Sequence, residues 1–186
     1  VVHPSSPLQT LDDLVKRAKA QADKPLNYGT AGIGSPQHLA MEQLARLVGV
    51  PLQHISYKGT TPAVNDLLAN QTDFGAFSLS SVLPLIQGNS VRVLAVLTEK
   101  RTNLLPNAPS MGDLGYRNVD SSIRFALFVP AGTPADVVGK LAAANSRALA
   151  DASLRESFTK AGYEIVPATG AQVAAMVQRE HAVWGP

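Results

Sequence analysis

Leu26-Asn27-Tyr28-Gly29-Thr30-Ala31-Gly32-Ile33-Gly34-Ser35-Pro36-Gln37-His38-Leu39-Ala40 contains, in order, a short apolar run, a glycine-rich turn and the opening of a helix. Pro25 ends whatever helix precedes it, because proline cannot donate to the helical ladder. Leu26 to Gly29 then reads as a strand. Ser35 is a helix cap, and Pro36 stands at the first helical position, where its missing N–H costs nothing. Ala40, Leu44, Leu47 and Val48 recur at helical spacing as the apolar face, and Gly49 closes the helix.

The same strand, polar turn and helix recur downstream. Leu52 to Tyr57 is a strand, Lys58-Gly59-Thr60-Thr61-Pro62 a loop and cap with Pro62 expected at the first helical position, and Val64, Leu67 and Leu68 a helix face. A third strand is expected near Asp73 to Phe77, followed by a serine-rich turn (Ser78, Ser80, Ser81) that opens a helix ending at Gly88. Val91 to Leu97 is nearly all apolar, as a buried strand would be. Alternating strands and helices of this length predict an α/β fold with a mostly parallel sheet and flanking helices. Upstream, Thr10 with Asp13 three residues on forms a capping box before Leu11, Leu14, Val15, Ala18 and Ala22. Residues 98 to 122 are irregular, with a helical turn expected from Ser110 to Leu114. Arg124 to Val129 reads as a strand. After Pro130-Ala131-Gly132-Thr133-Pro134 the chain turns helical, with faces at Val138, Leu141, Ala142, Asn145 and Leu149 and at Val173, Met176, Val177 and Trp184, and a short strand near Tyr163 to Val166.

Composition narrows the function. Of 186 residues 45% are hydrophobic, so the chain can bury a core. The net charge is +2, and no basic run exceeds Lys16-Arg17 or Lys100-Arg101, which argues against nucleic acid as a partner. There is no cysteine, so disulfides, thiolate catalysis and cysteine-based metal sites are excluded. No cofactor or metal is expected. No apolar run reaches the length of a membrane span. The start at Val1, without a leader, is read as a processed or truncated end.

In a parallel sheet, turns that leave successive strands toward helices lie along one edge, at the strands' C-terminal ends. Each helix start exposes unpaired N–H groups and a partial positive charge. Thr30, Ser35, Thr60, Thr61, Ser78, Ser80 and Ser81 add hydroxyls, while Gly29, Gly32, Gly34 and Gly59 let a ligand come close to the backbone. The expectation is a cradle for a carboxylate or phosphate. Phosphate motifs are absent: Gly29, Gly32 and Gly34 do not follow the dinucleotide spacing, and Lys58 is followed by Gly59, so there is no Walker sequence. Neither H-E-x-x-H nor G-x-S-x-G occurs. Two other readings use the same residues: a transferase-like enzyme with His38 as general base, and an inactive structural fragment.

The stretch from Leu26 to Ala40 resembles the substrate-binding receptors of tripartite tricarboxylate transporters, the Bug receptors. So do His54-Ile55-Ser56-Tyr57-Lys58-Gly59, Pro62-Ala63, Asp66-Leu67-Leu68, Gln71-Thr72-Asp73, Val91 to Val96, the Pro130 to Pro134 element and the Trp184-Gly185 end. The resemblance implies a type II periplasmic-binding-protein-like receptor that closes on its ligand as a hinged clamp. It implies no catalysis, a small organic or amino acid carboxylate as ligand, membrane transporter subunits as partners and a periplasmic location. The family's leading segment is missing from the likeness. Residues 1–122 would then be a near-complete lobe two and residues 123–186 the return to lobe one, leaving apolar surface open to self-association. Carried over by position, Thr30, Ala31, Gly32, Ser35 and His38 match ligand contacts, Tyr57, Lys58 and Gly59 a second contacting turn, and Ser78 a third. Where the family often has F-D-N, this chain has Ala76-Phe77-Ser78; loss of that acid would favour a plain carboxylic acid over one bearing an amine.

Overall fold

The computed structural model describes residues 1–184. The Trp184 side chain and Gly185, which the sequence assigns to the last helix face and to the family-like end, lie outside the described residues. The chain divides into two compact units, Val1–Ile123 and a second from Arg124 onward.

In the first unit the elements run α1 (Leu11–Ala20), β1 (Leu26–Thr30), α2 (Pro36–Val48), β2 (Leu52–Ser56), α3 (Thr60–Leu68), β3 (Phe74–Gly75) and α4 (Leu79–Gln87). The three strands are parallel in the order β2-β1-β3, with Thr30 beside Ser56 and Gly29 beside Gly75. Local chemistry sets the helix ends. Thr10 and Asp13 cap α1 reciprocally, Thr10 Oγ1 accepting from the Asp13 N–H and Asp13 Oδ2 accepting from the Thr10 N–H. Ser35 accepts from the His38 N–H at the start of α2, and Gly49 ends that helix in the left-handed conformation.

The core forms where these elements meet: Leu11, Leu14 and Ala18 of α1, Leu26 and Tyr28 of β1, and Ala40, Met41 and Leu44 of α2, with Phe74, Leu94 and Met111. Arg92 fastens the leading segment to this core by donating to the Pro4, Ser6 and Leu8 carbonyls.

The structure corrects several expectations. Leu47 faces solvent, and Met41 and Ala45 complete the buried face of α2 instead. Pro62 is the third residue of α3; Gly59 occupies the cap position, so no side chain caps that helix. Val91 to Leu97 is not a strand: Val91 and Leu94 are buried, but the segment makes only isolated bridges, Val2 to Arg92 and Val96 to Ser110. An apolar run signals burial, and burial does not require a hydrogen-bonded neighbour. Ser110 to Leu114 does form one turn, closed by the Leu114 N–H on Ser110 O at 3.2 Å, with Ser110 and Asp113 bonded to each other.

The second unit contains α5 (Ala135–Ala150), α6 (Ala152–Lys160) and α7 (Gly170–Trp184). Neither Arg124 to Val129 nor Tyr163 to Val166 is a strand. A lone strand has nowhere to place its backbone bonds, and these segments meet instead through rings, with Tyr163 edge-on to both Phe125 and Phe158. Asp151 caps α6 through the Leu154 N–H.

Candidate functional site

β1 is the central strand, so its C-terminal end is flanked by those of both neighbours. Backbone bonds draw the three following turns together. The Tyr57 N–H donates to Thr30 O, the Gly59 N–H to Ala31 O at 3.0 Å, and the Ala76 N–H to Gly29 O at 3.0 Å. The turns expected from the sequence to share one sheet edge therefore do so, and Ala31, Gly32, Ser35, Tyr57, Lys58, Gly59 and Ser78 stand along it. Gly32 (φ +152°) and Gly59 (φ +109°) hold backbone conformations that disfavour a side chain. A Cβ on Gly32 would touch the Tyr57 carbonyl oxygen at 3.4 Å, so the backbone conformation rather than space is the constraint there.

At the starts of these helices the N–H groups of Gln37, Thr60, Thr61, Leu79 and Ser80 find no acceptor among the described residues. They belong to three separate helices that open at the same edge, each adding its positive end. Ile33, Gly34 and Lys58 are exposed around them, so solvent reaches the edge. Among the described residues no group of three or more His, Asp or Glu is placed to hold a metal ion, and no helix is long and apolar enough to cross a membrane. A shallow depression of about 290 Å³, lined by Glu42, Arg46, Gly49 and Leu52, lies at the opposite end of the sheet.

Several of the residues singled out from sequence turn out to be committed within the protein. Thr30 is fully buried, and its hydroxyl meets His54 Nε2 at 2.7 Å and both the N–H and the carbonyl of Gly32. His38 Nδ1 accepts from the Gly34 N–H, and its Nε2 lies 4.0 Å from Glu42. Tyr57 donates its hydroxyl to Asp66 at 2.7 Å while its ring lies against Gly29. Burial, reinforced by Asp66, pushes the Tyr57 phenol up to about 12, so it remains a donor. Ser78 shares a hydrogen with Ser81 at 2.8 Å.

Sequence reading missed three contributors. His54 bonds to Thr30. Glu42 accepts the Tyr28 hydroxyl at 2.9 Å. Asp66 holds the Tyr57 hydroxyl. The alternation in β2 could have flagged His54, since it puts His54 beside Tyr28 in the parallel register.

A family model described as "Tripartite tricarboxylate transporter family receptor" matches residues 1–186. Protein BugT of Bordetella pertussis is 30% identical over 184 residues, which is 99% of this chain and 56% of that protein. The chain thus spans about half the length of the curated relatives it matches. Among solved structures, a protein of R. palustris with adipate superposes with a TM-score of 0.83 at 28% identity, covering 98% of this chain and 61% of the other. MatC from Rhodopseudomonas palustris with bound malate superposes with a TM-score of 0.76 at 26% identity, covering 99% and 63%. The fold is accordingly that of periplasmic binding proteins, an α/β architecture with a parallel sheet and flanking helices.

Proposed function

The chain belongs to the tripartite tricarboxylate transporter receptor family, and from that premise we propose that it is the ligand-binding part of a periplasmic solute receptor that captures a small carboxylate for membrane transporter subunits and does not turn it over. The observation that carries this reading is the row of unpaired first-turn amides, from Gln37, Thr60, Thr61, Leu79 and Ser80, along one solvent-reached sheet edge. A carboxylate has lone pairs to satisfy several such donors, and three helix ends favour its charge. That the neighbouring structures carry adipate and malate supports the same class of ligand.

Residues 1–122 are proposed as one lobe of the clamp and residues 123–186 as the return to the other. A site drawn from one lobe covers a ligand on one side only, so binding by this chain is weak. The absence of turnover is supported by His38, the candidate base, whose Nδ1 is occupied by the Gly34 N–H. The Ala76-Phe77-Ser78 corner carries no acid to meet an amine, which favours succinate over aspartate.

Isothermal titration of the chain with malate, adipate, succinate and aspartate tests the proposal. The expected result is saturable binding of the diacids, with aspartate weaker than succinate and every acid recovered unchanged. Flat thermograms with all four acids, or chemical conversion of one of them, would contradict it.

A further inference from the structure

Four rings form a column that crosses the sheet beneath the glycine turn, one pair stacked and the other two tilted. Phe74 on β3 lies 5.3 Å from Tyr28 on β1, Tyr28 lies 5.0 Å from His54 on β2, and His54 lies 4.0 Å from His38 on α2. The two ends of the turn rest on the histidine end of this column. Thr30 Oγ1 accepts the Gly32 N–H, and His38 Nδ1 accepts the Gly34 N–H. His54 touches both supports: its Nε2 is 2.7 Å from Thr30 Oγ1, and its ring packs on that of His38.

The hydrogen-bond arithmetic is consistent. A threonine hydroxyl has one hydrogen and two lone pairs. The hydroxyl accepts the Gly32 N–H, and its hydrogen goes either to Gly32 O, with His54 Nε2–H donating to the second lone pair, or to an unprotonated His54 Nε2, according to the histidine tautomer. Thr30 is fully buried, so water does not compete for these positions.

We infer that His54 is a positioning residue for the ligand edge: through the Thr30 hydroxyl and the His38 ring it sets the conformation of the Gly32–Gly34 turn without touching ligand itself. The ligand half of this inference rests on the carboxylate reading of that edge; the half concerning the turn does not. His54 lies on the strand below the corner rather than in it, which is why a motif of glycines and hydroxyls does not reveal it.

The test uses the full chain with three substitutions, His54→Leu, His54→Gln and Thr30→Val. Amide NMR spectra and hydrogen exchange at Gly32 and Gly34 are read without any acid, and malate affinity is then measured by calorimetry. Loss of the His54–Thr30 bond is expected to speed exchange at Gly32 roughly five- to tenfold and to weaken malate by a similar factor. His54→Gln, whose amide can again donate to the hydroxyl, should recover most of both. Thr30→Val, nearly equal in shape, should reproduce His54→Leu, and the double variant should be little worse than either alone. Unmoved Gly32 and Gly34 amides in His54→Leu would overturn the inference. So would a change spread evenly over core amides such as Leu44 and Leu67, or strictly additive effects in the double variant. If the turn responds as stated while the unsubstituted chain binds no acid, the receptor reading fails and the role of His54 in shaping the turn stands.

Discussion

The two units use apolar residues at similar spacing and reach opposite outcomes. In the first, Leu14, Tyr28, Leu44 and Leu67 are almost wholly removed from solvent. In the second, no described residue is buried, and Phe125 is 78% and Leu127 69% exposed. A helical stripe such as Val138, Leu141 and Leu149 shows that a face can be covered, and coverage depends on what stands opposite. In the first unit a sheet stands opposite; in the second, three helices share what little cover there is.

The largest expected effect sharpens this contrast. Leu44→Ala or Leu67→Ala should destabilise the first unit by about 2–5 kcal/mol, because each leaves a cavity in a packed core. Leu141→Ala, at a half-open site, should stay within about 0.5 kcal/mol. Urea unfolding of each variant measures both; equal losses would break the comparison. Hydrogen exchange should separate the units in the same way, with the amides of α5 and α6 less protected than those of β1.

A smaller effect is expected at the first-unit caps. Ser35→Ala removes the oxygen that accepts the His38 N–H and should cost about 1 kcal/mol. Asp151→Ala removes the equivalent acceptor for Leu154 in the second unit. Its effect should show as fraying of α6 by circular dichroism, without a shift in the urea midpoint of the first unit.

The smallest effect is one of pH. Burial, with help from the adjacent His38 ring and against Glu42, holds His54 below the ordinary imidazole value of 6.5. The folded protein therefore binds fewer protons there than the unfolded chain. The contribution is complete above the ordinary imidazole range and is lost as pH falls through the lowered folded value. Stability of the first unit should decline as pH falls below about 7, and His54→Gln should flatten part of that slope. An unchanged slope in the variant would remove His54 from the account.

Much of the first unit was legible because its signals are local. Thr10 with Asp13, Ser35 before Pro36, and Gly49 each satisfy specific backbone groups, and the structure uses all of them in that way. The three strand-end turns were legible from the alternation of strands and helices, although of their cap residues only Ser35 caps through its side chain. What sequence did not reveal depends on partners far along the chain. Whether Val91 to Leu97 forms a ladder depends on what lies beside it, and Arg124 to Val129 lacks a neighbouring strand among the described residues. At the proposed ligand edge, the glycines and hydroxyls were visible, but the commitments of Thr30 to His54 and of Tyr57 to Asp66 join different elements and could not be read from either alone.

The most direct test of the proposed role is an amide NMR titration of the chain with malate. The account predicts progressive shifts at Gln37, Thr60, Thr61, Leu79 and Ser80, at the open ends of three helices, with α5 to α7 unmoved. Shifts confined to the second unit, or to the depression around Glu42 and Arg46, would contradict it.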